Sequence, residues 1–97
     1  MTDKIRWGIL GCGRIASKFA SDLKYVANSE IVAAGSRNIE SANAFADEFN
    51  IPHRHGSYEA LVKDKDVDVI YIATPHNLHY ENTLLCLNNN KAVLCEK

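Results

Sequence analysis

Apolar residues fall into two alternating rhythms along this chain, short unbroken runs and spaced stripes. The runs IRWGIL (Ile5 to Leu10), IVAAGS (Ile31 to Ser36), VDVIYIA (Val67 to Ala73) and AVLCE (Ala92 to Glu96) read as strands buried on both faces. Between them, Ile15, Phe19, Leu23 and Val26 recur at spacings of three and four, which marks an amphipathic helix. Ala42, Phe45, Ala46 and Phe49 stripe a second helix, with Asn50 as a left-handed stop and Pro52 unable to continue it. HRH, His53 to His55, reads as a short strand, and Ser57 as the N-cap of a helix carrying Tyr58, Leu61 and Val62. Leu78, Leu84, Leu85 and Leu87 lie on a last helix that Asn88, Asn89 and Asn90 end, one of them at positive φ.

Strands and helices therefore alternate from end to end. Alternation with doubly buried strands predicts an α/β fold, a doubly wound parallel sheet with helices on both faces. Right-handed crossovers leave few topologies. The expected strand order is 3-2-1-4-5, with a ligand crevice beside the first strand, where the order reverses.

The chain has 97 residues, 46% of them hydrophobic, and a formal net charge of −1. Residues 1–97 make one modest domain. With no basic excess to neutralise phosphates, a nucleic-acid partner is not expected. No run approaches the roughly 18 apolar residues that span a bilayer, so no membrane association and a cytoplasmic location are expected. Cys12, Cys86 and Cys95 are widely spaced and read as reduced thiols, Cys86 and Cys95 as small buried hydrophobes.

The chemistry concentrates after the first strand, in Gly8-x-x-Gly11-x-Gly13-x-x-Ala16. A lone Gly-x-Gly-x-x-Ala is weak, but here it follows a strand and opens a helix, the context a dinucleotide cradle requires. Gly11 permits the tight turn, Gly13 lets a pyrophosphate approach the backbone, and Ala16 lets the helix pack close to the sheet. Cys12, Arg14 and Ile15 complete the turn, and the helix N-terminus offers free N–H groups to phosphate. Folds of this kind that bind NAD place Asp or Glu at the end of the second strand, on the ribose. This chain has AAGSRN there, and Glu30 stands at the strand's other end. Ser36 and Arg37, a hydroxyl and a planar guanidinium, suit a 2′-phosphate, so NADP is expected, with NAD possible.

These motifs, with GSYEALVKDKDVDVIYIATPHNLHYENTLLCLNNNKAVLCEK following in order, resemble the N-terminal domain of the glucose-fructose oxidoreductase/inositol dehydrogenase family. The resemblance is strongest to the dihydrodiol dehydrogenase-like members. It implies an NAD(P)-dependent oxidoreductase acting on a sugar, polyol or diol. It implies that Thr74, Pro75 and His76 line the loop after the fourth strand, that Asn77 caps the next helix, and that His79 faces the cofactor cleft. It implies that Glu96 orients the nicotinamide end and that Lys97, near the transferred hydride, is catalytic, bonding the substrate oxygen and helping to move the alcohol proton. It also implies that these residues form the cofactor-binding half of a longer enzyme. The missing domain would supply the substrate pocket and the homo-oligomer interface. A non-catalytic nucleotide-sensing module, or a scaffold that binds no nucleotide, remains compatible with the residues.

His76 and His79, like His53 and His55, have no Cys, Asp or Glu at recognisable ligand spacing, so no metal is expected. KDKDVD, Lys63 to Asp68, reads as a solvated loop.

Overall fold

The computed structural model describes residues 4–23, 25–74 and 76–95. Five strands, β1 (Ile5–Leu10), β2 (Ser29–Gly35), β3 (His53–His55), β4 (Val69–Ile72) and β5 (Ala92–Cys95), form one sheet in the order β3-β2-β1-β4-β5. Every pairing is parallel. The helices are α1 (Arg14–Leu23), α2 (Ile39–Phe49), α3 (Tyr58–Val62) and α4 (His79–Asn88), with a 3₁₀ turn at His76–Leu78. The doubly wound sheet and its strand order are those the alternation predicts.

The two faces carry separate cores. On one, Ala16 and Ala20 of α1 and Phe45 and Ala46 of α2 close over Ile9 and Ala34. On the other, Leu61 and Val62 of α3 and Cys86 of α4 close over Leu10, Ile70 and Ile72. Leu61 seats in a socket made by two glycines. A Cβ on Gly35 would stand 2.8 Å from Leu61 Cβ, and one on Gly8 3.2 Å from Leu61 Cδ1. Among the described residues, only one face of β5 is covered. Val93 and Cys95 pack against the α3/α4 core, while Leu94 is 45% exposed on the other side.

Local signals hold at several ends. The side chain of Asn38 accepts from the Glu40 and Ser41 amides at the start of α2, and Asn50 ends that helix at φ 57°. The Ser57 side chain accepts from the Ala60 amide, and Asn90 has φ 62°.

Four details correct the sequence reading. The buried stripe of α1 is Ala16, Ala20 and Leu23; Ile15 and Val26 are 46% and 50% exposed. The helix stops at Leu23, so Val26 falls beyond it, and alanines bring its axis close to the sheet. In α4, Leu84 and Leu87 are exposed and the inward residues are Asn82 and Cys86. Asn77 lies within the 3₁₀ turn rather than at a cap, and the α4 N-cap is Leu78, with no side-chain cap bond. Asp64 is not solvated: its side chain is 7% exposed and sits against His53 and His55.

Candidate functional site

The crevice predicted from strand order lies at the carboxyl ends of β1, β2 and β4. Gly11 has φ 97°, a conformation L side chains rarely adopt. A Cβ there would also stand 3.1 Å from Thr74 Cγ2 and 3.3 Å from the Ala73 carbonyl carbon. The turn is thus pressed against the end of β4, and the Gly11 amide donates to the Gly35 carbonyl at 2.8 Å, tying it to β2 as well. Gly13 differs: nothing stands within 4 Å of its Cβ position. Its freedom serves an open approach to the backbone. α1 begins at Arg14 with no acidic residue in its first turn. Its first amides lack intrahelical acceptors, so the helix end could hold an anion. Arg14 and Ile15 stand exposed at this mouth.

Cys12 is half-buried and its Sγ donates to the Gly35 carbonyl at 3.6 Å. Burial pushes its thiol pKa up to about 11, so nearness to the helix N-terminus does not activate it. In the native protein, alkylation of Cys12 at pH 8 is expected to be about two orders of magnitude slower than that of an ordinary thiol, because the thiolate is the nucleophile. Peptide mass spectrometry of timed iodoacetamide reactions checks this.

Ser36 and Arg37 follow β2 directly. The Ser36 amide donates to the His55 carbonyl at 3.1 Å, which fixes the segment to β3, and Arg37 is exposed. Glu30 is at the opposite end of β2, where the sequence put it. A groove runs from Arg37 past Tyr58 to Leu78, Glu81 and Asn82. It joins the end of β2 to the start of α4 across the crevice.

The segment after β4 is braced from within. Thr74 is 4% exposed and its Oγ1 accepts from Asn82 Nδ2 at 2.6 Å. The His79 ring, through Nε2–H, donates to the Thr74 carbonyl at 2.8 Å. His79 therefore holds the shape of this loop. Asn82 escaped the sequence reading because a polar residue on an amphipathic helix reads as solvent-facing. The signal that could have found it is the buried Thr74 eight positions earlier, which needs a partner. His76 lies in the 3₁₀ turn. Pro75, Glu96 and Lys97 lie outside the described residues. No helix among the described residues is long and apolar enough to cross a membrane.

Known proteins resemble this chain in sequence and in fold. The chain is 50% identical over 95 residues to the trans-1,2-dihydrobenzene-1,2-diol dehydrogenase of Mus musculus and 45% identical to that of Homo sapiens, covering 96% of this chain in both cases. It spans only 28% of the length of these relatives. Among solved structures, a 3-ketoreductase from Actinomadura kijaniata in complex with NADP superposes with a TM-score of 0.92 at 33% identity, over 98% of this chain and 30% of that one. The myo-inositol dehydrogenase of Lactobacillus casei, in complex with NAD(H) and myo-inositol, shares the fold at a TM-score of 0.88 and 23% identity, over 97% of this chain and 28% of that one. Residues 5–97 match the Gfo/Idh/MocA family, described as an oxidoreductase family with an NAD-binding Rossmann fold, and the chain belongs to it.

Proposed function

We propose that residues 1–97 are the cofactor-binding domain of an NADP-preferring dehydrogenase that oxidises a hydroxyl carbon of a diol, polyol or sugar, or reduces the corresponding carbonyl. The observation that carries this reading is the pairing of two features at one crevice. An open glycine turn leads into an anion-binding helix end, and Ser36 and Arg37 stand where an NAD-specific site would carry a carboxylate. The relatives' names support the diol substrate class.

In this reading Gly11, Cys12, Gly13, Arg14 and Ile15 receive the pyrophosphate. Ser36 and Arg37 hold the 2′-phosphate. Thr74, Pro75, His76 and His79 form the loop that borders the nicotinamide half, with His79 and Asn82 keeping Thr74 in place. Glu96 orients the nicotinamide end, and Lys97 bonds the substrate oxygen and moves its proton. The nicotinamide, when bound, supplies the hydride chemistry, while the protein supplies placement and electrostatics. We assign the substrate pocket and the contact between subunits to sequence beyond these residues, and place the enzyme in the cytoplasm.

Parallel calorimetric titrations with NADP⁺ and NAD⁺ test the cofactor choice. NADP⁺ is expected to bind more tightly. Arg37→Ala is expected to weaken NADP⁺ about 10- to 100-fold while leaving NAD⁺ within about threefold, because one charge-assisted contact is worth about 1.5–3 kcal/mol. Equal binding of the two cofactors by the parent protein overturns the role of Ser36 and Arg37.

A further inference from the structure

The edge strand β3 carries a cluster that the cofactor site does not use. Residues i and i+2 of a strand point to one face, so His53 and His55 project together. Arg54, between them, takes the other face and pairs with Asp47 of α2, its Nη1 2.7 Å from Asp47 Oδ1. On the histidine side the chain returns after α3 and delivers Asp64. Asp64 Oδ2 lies 2.7 Å from His53 Nδ1 and 2.9 Å from His55 Nε2. The three ligand-type atoms all lie within 4.8 Å of one another.

We propose that His53, His55 and Asp64 form a binding site for a divalent transition-metal ion of the Zn²⁺ class. Two imidazoles and one carboxylate are the donor set that zinc accepts, with the remaining position left to water. His53 is partly open to solvent, which leaves a path for the ion and for that water.

Three features make the cluster a built site. The second oxygen of Asp64 accepts from the Asp66 amide at 2.9 Å, which fixes the plane of the carboxylate. The Asp64 carbonyl accepts from Lys91 Nζ at 2.6 Å and the Val67 carbonyl from the same ammonium at 2.8 Å, so the loop that carries the ligand is anchored to the start of β5. On the far side of the His53 ring, Nε2 faces Asp66 Oδ2 at 3.7 Å. A carboxylate behind a ligating imidazole is the outer-shell arrangement that orients metal-bound histidine.

The protons balance simply. Without metal, His53 Nδ1 and His55 Nε2 each donate an N–H to Asp64 Oδ2. With metal, each proton moves to the ring's other nitrogen, on His53 toward Asp66, and no net proton need be released. Bonds of about 2.0–2.1 Å to the ion require the donors to part by about half an ångström from their hydrogen-bonded spacing. The ion would then clip a three-residue edge strand to the α3–β4 loop. The His55 carbonyl also holds the Ser36 amide, so the clip borders the segment assigned to the 2′-phosphate.

The test is titration of tag-free, chelator-treated protein with Zn²⁺ by calorimetry and with Co²⁺ by visible absorption. One equivalent of Zn²⁺ is expected to bind, at least tenfold more tightly than to the His53→Gln/His55→Gln variant, and to raise the melting temperature by several degrees. Mg²⁺ should produce neither effect. In the unaltered protein, Zn²⁺ should shift the ring NMR signals of His53 and His55 and spare those of His76 and His79, which keeps the test independent of how the variant folds. Absence of one-equivalent binding, undiminished binding in a folded double variant, or ring shifts confined to His76 and His79 would each overturn the site.

Discussion

Replacing Lys97 with alanine is expected to lower kcat by about two to four orders of magnitude, the range that a positioned proton-transfer group contributes. The measurement is steady-state turnover with NADP⁺ and a diol, on protein that spans the relatives' full length. The physical case begins with the register. Cys95 pairs with Ile72, so the chain leaves β5 beside the point where β4 gives way to Ala73 and Thr74. That loop is held by Asn82 and His79, at the carboxyl end of the sheet, where doubly wound folds generally take their ligands. Lys97 follows β5 by two residues in the sequence, and the role proposed for it is a bond from its ammonium to the substrate oxygen. Lys97→Arg keeps the charge but cannot release a proton near neutral pH, so it should recover substrate binding and little of kcat. A loss confined to KM in both variants would make Lys97 a binding group only.

Leu61→Ala is expected to destabilise the domain by about 3–5 kcal/mol, the cost of emptying a fully buried leucine site. Leu61 is fully buried, and the glycine socket of β1 and β2 has no side chain that could move into the space it leaves. Domains of this size are held by only about 5–15 kcal/mol, so the variant should melt roughly 15–30 °C lower in thermal denaturation followed by circular dichroism. The same contact can be broken from the other side. Gly35→Ala brings a methyl within 2.8 Å of Leu61 Cβ, which α3 can relieve only by moving, at about 1–3 kcal/mol. A loss under about 1 kcal/mol for Leu61→Ala would mean that α3 collapses onto the sheet and that the socket is not rigid.

Several parts of this protein are determined by sequence alone. The alternation of apolar runs and stripes specifies a doubly wound parallel sheet, because strands buried on both faces and joined through helices have few other arrangements. The local stops are equally legible. Asn50 and Ser57 act on neighbours within a few residues, and Asn50 adopts the left-handed conformation its position requires. The glycine turn belongs here too, since a strand, two glycines and a helix start are contiguous in the chain.

Other parts were decided only by the tertiary structure. Helix faces shifted in α1 and α4, because the angle at which a helix meets the sheet depends on which residues let it come close. Alanines at 16 and 20 took the place that Ile15 was expected to fill. Asn82 turned inward for a threonine on another element. Asp64 stands nine residues from His55 in a charged hexapeptide that reads as solvated, and it became the shared partner of two histidines. The reason is common to all three. Periodicity and capping act over one or two turns of chain, whereas burial of a polar side chain is settled by whichever partner the crossover delivers. That partner is fixed by sheet register and helix seating, which arise only when the whole domain packs.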